Sequence, residues 1–168
     1  MNRLWAPWRM EYISGASAQA YPEGACVLCL MGDESPSEEN LILHRGTVCY
    51  IIMNLFPYIN GHLMVLPYRH KACLAGLGKE ERLEMFAQAD LSERVLKRAM
   101  HPDGFNIGMN LGRVAGAGIA DHMHLHVVPR WNGDTNFMPV LGESRVISEA
   151  LKVTYQKLRP IFEEMGDA

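Results

Sequence analysis

Apolar and polar residues change their spacing several times along this chain, and the changes divide it into elements. Leu41–His44, Thr47–Asn54 and Gly61–Leu66 are short, largely apolar runs bounded by turn-forming residues, and they read as strands. Phe56-Pro-Tyr-Ile-Asn60-Gly61 supplies a turn between the last two, in a hairpin-like arrangement. From Lys79 to Met100 the spacing lengthens: Leu83, Ala87, Leu91, Val95 and Ala99 step by four along one stripe, Glu80 and Glu81 favour the N-terminal dipole, and Pro102 ends the pattern. This predicts one long helix. Phe105–Leu111 and His122–Arg130 return to strand character across a Gly-rich turn, and Ser148–Glu164 reads as a final helix. The first forty residues are irregular, with Pro22, Gly24, Gly32, Pro36 and a solvated acidic cluster from Glu34 to Glu39. A meander of strands with a long helix inserted is an α+β fold: an antiparallel sheet of about five strands, a long helix and a C-terminal helix, in one domain over residues 1–168.

The strand at His122–Arg130 carries chemistry. His122, His124 and His126 recur every second residue, so on a strand they share one face while Met123, Leu125 and Val127 face the other. Imidazole is largely neutral and nucleophilic near pH 7. Three rings on one face disfavour a second and third charge, so at least one remains a free base. Its neighbours can then donate to an anionic substrate, for which phosphate esters are the natural class. By spacing alone a metal site is equally well served, since histidines at i and i+2 on a strand also bind zinc.

The motif His122-Met-His124-Leu-His126-Val-Val128 resembles that of the histidine triad superfamily of nucleotide hydrolases and transferases. Asn60-Gly61-His62-Leu-Met-Val-Leu-Pro67 is similar to that family's glycine-histidine strand, with Asn54 at a nucleoside-contacting position and Asn110 near a second. The opening Leu4-Trp-Ala-Pro-Trp-Arg-Met-Glu-Tyr-Ile13 and the ending Val-Val-Pro-Arg-Trp131 resemble the bacterial branch related to diadenosine tetraphosphate phosphorylases. The resemblance implies that His124 attacks an α-phosphorus to form a covalent nucleotidyl-histidine. It also implies that His126 donates to phosphate oxygens, that His62 orients the triad and that His122 holds the nucleophile's geometry. Upstream of the triad the chain departs from the hydrolase branches, which carry Gly-Gln-Ser/Thr where Ala117-Gly118-Ile119 stands here. The loss of a bulky amide at Gly118 makes room for inorganic phosphate and favours phosphorolysis, with Trp131 pointing to the same branch; alternatively, Gly116 and Gly118 only form a loop into the strand. A water-using hydrolase or phosphoramidase, and a non-enzymatic nucleotide- or metal-binding protein, are the other readings. A zinc hydrolase with all three triad histidines on the metal is a further one. The family also implies a symmetric homodimer through the long helix and an edge strand.

Cys26-Val-Leu-Cys29 places two sulfurs where they can grip one metal. In relatives that keep this pair, positions matching His70 and His122 complete a zinc site, so the resemblance implies a closed structural zinc centre of Cys26, Cys29, His70 and His122. The alternative is a pair of buried reduced thiols. Cys49 and Cys73 read as packing residues, and His44 and His101 as surface or loop histidines.

Composition narrows the setting. A 168-residue chain, 48% hydrophobic and 21% charged, is expected to form one globular domain. No run reaches membrane-spanning length, and Trp5, Pro7, Trp8, Arg9 and Glu11 interrupt any signal-peptide core. Four cysteines, two in metal-like spacing, suit a reducing, cytoplasmic compartment. A net charge of −3 argues against broad nucleic-acid binding, so the expected partner is a small nucleotide held locally.

Overall fold

The computed structural model describes residues 24–134 and 147–166. The N-terminal block Leu4–Ile13 used in the resemblance lies outside them. The described elements are α1 (Val27–Gly32), β1 (Ile42–Arg45), β2 (Cys49–Met53), β3 (Leu63–Pro67), α2 (Lys79–Met100), β4 (Gly104–Met109), β5 (Leu125–Arg130) and α3 (Leu151–Gly166). Short 3-10 turns at Leu74–Gly76 and Arg113–Ala115 punctuate the connections.

The five strands form one antiparallel sheet, as the α+β reading expected, in the order β1-β2-β3-β5-β4; it is not a simple meander, because β5 inserts between β3 and β4. Helix α2 packs against β2, β3 and β5, and α3 packs against β1 and α2. Ile51, Met53, Leu63, Val65, Met123, Leu125 and Val127 belong to one buried core with Met85, Ala89, Val95 and Leu96 of α2. Their alternation leaves the intervening residues of β3 and β5 facing the opposite side. There Met64 pairs with His126, and His126 in turn pairs with Gly108 of β4, which has no side chain to cover the ring.

Helix α2 has the predicted limits. The Glu81 carboxylate accepts the Gly78 N–H at 2.6 Å, and His101 closes the helix in the left-handed region at φ 48°. Its buried face matches the predicted stripe only in the middle: Leu91 and Val95 are buried as expected, with Met85, Gln88, Ala89, Ser92 and Leu96 beside them, whereas Leu83 is 63% exposed and Ala87 is also exposed. Steps of four residues advance 40° around a helix beyond full turns, so a run of them winds off the core face. Three other expectations are corrected. Residues 27–32 form a helix inside the segment read as irregular, His44 lies half-buried in β1 against Phe162, and Cys73 is exposed rather than packed.

Candidate active site

The histidines of the triad keep their alternation, but only His126 lies within β5; His122, at a bend, and His124 are in the segment that leads into it. All three are buried, and the chain before the strand is pinned where the Met123 N–H donates to the Lys71 carbonyl at 2.7 Å. The rings do not form one group. His122 turns toward the cysteines, while His124 and His126 stand edge to face with centroids 4.8 Å apart.

Hydrogen-bond partners fix which nitrogen of each ring carries the proton. His124 Nδ1 lies 2.9 Å from the His122 backbone carbonyl, which can only accept, so Nδ1 is the N–H and Nε2 carries the lone pair. His62 Nδ1 receives the Tyr58 backbone N–H at 3.0 Å and faces the Asn54 amide at 3.3 Å, which leaves Nε2 as its N–H. That N–H donates to His126 Nδ1 at 2.9 Å. His126 therefore carries its own proton on Nε2, a buried atom with no hydrogen-bond partner among the described residues. A buried donor left unpaired costs on the order of 1–3 kcal/mol, so this one calls for an acceptor beyond the described residues.

The result is a lone pair and an N–H donor on adjacent rings. Burial, and secondarily the neighbouring His124, push the His126 imidazole down to about 4, so the donor stays neutral. Tyr58 roofs the pair, its ring centroid 4.4 Å from His62 and 5.5 Å from His126. Sequence reasoning missed Tyr58; its place four residues before His62, inside the turn, was the available signal.

The other predicted site residues fall in different places. The two ends of the Asn54 amide are engaged by His62 and by the Phe56 N–H, so it braces the turn that carries His62. Asn110 reaches the Tyr58 hydroxyl at 3.4 Å and lies beside Gly116. Gly118 is exposed, with open space where a Cβ would stand; Gly112 and Gly116, at φ 84° and 89°, are the glycines this loop needs for its backbone. Trp131 is not brought into the group. It follows the far end of β5, and its indole N–H donates to the Met100 carbonyl at the end of α2.

A second cluster lies beside the first. The ligand atoms of Cys26, Cys29, His70 and His122 all fall within 4.8 Å of one another. His122 Nδ1 is 3.4 Å from both sulfurs, and His70 Nδ1 is 3.3 Å from Cys29 Sγ. His122 Nε2 donates to the Pro67 carbonyl at 2.9 Å, which turns the Nδ1 lone pair toward the sulfurs. Burial, chiefly, holds the His122 imidazole below its ordinary value, so it is poised as a neutral ligand. This group could hold a metal. Helix α1 brings Cys29 there, anchored by the Tyr50 hydroxyl, which donates to the Leu28 carbonyl at 2.6 Å. The arrangement separates the roles: His122 belongs to the cysteine cluster, so a metal on all three triad histidines does not match the geometry.

Comparison with known proteins bears on the family. The HIT domain matches residues 36–133. The chain is 42% identical over 161 residues to a Mycobacterium tuberculosis protein named AP-4-A phosphorylase, covering 94% of this chain and 83% of that one. It is 29% identical over 129 residues to a Dictyostelium discoideum Bis(5'-adenosyl)-triphosphatase, covering 73% and 86% of the two chains. Among solved structures, a Zn-bound histidine triad family protein from Mycobacterium smegmatis superposes with a TM-score of 0.67 at 27% identity, over 85% of this chain and 96% of that one. The paired His124 and His126, the glycine-histidine strand beside them and these matches lead to one conclusion: the chain belongs to the HIT family.

Proposed function

We propose that this protein is an enzyme that cleaves dinucleoside polyphosphates of the diadenosine tetraphosphate class, by nucleotidyl transfer through His124 to inorganic phosphate. The observation that carries the reading is the free lone pair on His124 Nε2 beside the unpartnered N–H of His126. In the first step His124 Nε2 forms an N–P bond at the α-phosphorus while the bridging P–O bond breaks, and its electron pair leaves with the departing nucleotide. His126 Nε2–H meets the charge that builds on a non-bridging oxygen, a contribution of about 3 kcal/mol for such a donor. In the second step a phosphate oxygen attacks, the N–P bond breaks, and its electrons return to the imidazole.

Open space at Gly118 and the phosphorylase name of a relative 42% identical support phosphate as acceptor. The triphosphatase name of a second relative supports the alternative in which water completes the reaction. Asn54, Asn110 and Gly118 are proposed to border the nucleotide, with Tyr58 as its apolar wall. The test is incubation of diadenosine tetraphosphate with and without phosphate: ADP and ATP only in its presence support the proposal, and AMP and ATP without it establish a hydrolase.

Zinc is the metal we propose for the second cluster. Tetrahedral zinc with bonds of about 2.3 Å to sulfur and 2.0–2.1 Å to nitrogen sets sulfur and nitrogen about 3.6 Å apart, close to the separations of 3.3–3.4 Å between these ligand atoms. With four protein ligands such a metal stabilises the fold and leaves no open position for substrate. Thiolate ligands fit a reducing compartment, which supports a cytoplasmic setting. Pairing through α2 and β4 is proposed as well: β4 is a sheet edge carrying exposed Ile107, and α2 exposes Leu83 and Phe86. No helix among the described residues is long and apolar enough to cross a membrane.

A further inference from the structure

The turn that carries Tyr58 and His62 is gripped from outside the sheet by the C-terminal helix. Asn60 is buried in that turn, and Thr154, in the first turn of α3, is fully buried above it. Thr154 Oγ1 lies 2.9 Å from Asn60 Oδ1 and 2.8 Å from Glu149 Oε2, and Glu149 also bonds to Asn60 and to Lys157. Burial works to raise the Glu149 carboxyl, but its bonds to Lys157, Thr154 and Asn60 hold it below its ordinary value. On the other side the turn is pressed against α2 and β5. A Cβ at Gly61, where φ is +77°, would come within 2.9 Å of Met100 Sδ and 3.2 Å of both Leu96 and Pro129. The turn thus has a wall on one side and a polar triangle on the other, and no chemical step uses the triangle.

We propose that Asn60, Thr154 and Glu149 are positioning residues for the His62–His126 pair: they fix the height of the turn so that the His62 N–H meets His126 Nδ1. Without that bond His126 is free to carry its proton on Nδ1 instead. Its Nε2 then presents a lone pair rather than an N–H to a phosphate oxygen, and the anion-binding donor becomes a repulsive group. The predicted effect on rate rests on the nucleotidyl-transfer reading; the predicted effect on the ring protons does not.

The test is nitrogen NMR of the histidine rings, with turnover of diadenosine tetraphosphate, in the full chain and in Thr154→Val, Thr154→Ser and Arg98→Ala. Arg98 makes two 2.8 Å bonds to Glu164 near the other end of α3, so its loss loosens the helix without touching Asn60. In the unaltered protein His126 should be protonated at Nε2 alone. Thr154→Val should mix the two His126 forms and lower kcat about tenfold, as a small misplacement of a reacting group does. Thr154→Ser should restore both, and Arg98→Ala should change neither. Unaltered ring signals in Thr154→Val, or equal changes in Arg98→Ala, would overturn the proposal. If Thr154→Val does not fold, Glu149→Gln, at a side chain 20% exposed, is read against the same outcomes. If the unaltered protein turns over no dinucleotide, the proposed function fails while the ring signals still decide the role of the triangle.

Discussion

The chemistry of the site rests on where single protons sit. Alternation put His124 and His126 on one face, and that much was legible from spacing. The division of labour was not, because it depends on atoms far apart in sequence: the His122 carbonyl sets the proton of His124, and the Tyr58 N–H sets that of His62 and through it His126. His126 also makes a pH prediction. Its folded value is about 4 against an ordinary 6.5, so between these values the unfolded chain binds a proton that the folded chain refuses. Its contribution leaves stability at its full value above about pH 6.5 and lowers it as pH falls toward 4. Thermal melts from pH 7 to 4.5 should therefore show a declining Tm, with a shallower decline in His126→Gln; equal slopes would show that His126 is not held neutral by the fold.

Among elements, long periodic segments were the readable ones. Helix α2 was bounded correctly because an acidic first turn, an apolar period and Pro102 all lie in local sequence, and its buried face was only partly read because a strict step of four drifts around the axis. Helix α1 is too short for a period of its own and is secured by tertiary contacts: Tyr50 bonds its Leu28 carbonyl, and Gly32 packs against Tyr68. The cysteine cluster links this small helix to the approach of β5. Protein purified without added metal should accordingly contain close to one equivalent of zinc, and Cys29→Ser should lose it and melt earlier, since structural zinc contributes folding energy directly. Less than about a tenth of an equivalent, with Cys29→Ser melting like the unaltered protein, would contradict a metal role in the fold.

For the whole molecule, the sheet order and the exposed surfaces frame assembly. Leu83 and Phe86, each 63% exposed on α2, and Ile107, 45% exposed on β4, are large apolar groups left uncovered in one chain. Sedimentation equilibrium should give about twice the chain mass of 18.9 kDa, with Phe86→Asp shifting the population to single chains; a single-chain mass throughout would rule out the proposed pairing. The fold class was legible because each strand and helix had its own pattern. Membership of the HIT family was legible because the triad and the glycine-histidine strand are short, local motifs. The meeting of His62 with His126, 64 residues apart, exists only in the folded chain. Nucleotidyl transfer is proposed to use His124, whose lone pair is set by the His122 carbonyl, beside the donor that this meeting prepares on His126. It is tested most directly by mixing the protein with diadenosine tetraphosphate in the absence of phosphate, quenching under alkaline conditions that preserve phosphoramidates, and mapping the adduct by peptide mass. The account predicts an adenylyl group on His124 that disappears when phosphate is added and is missing from His124→Ala; turnover with no adduct, or an adduct that His124→Ala still forms, would contradict it.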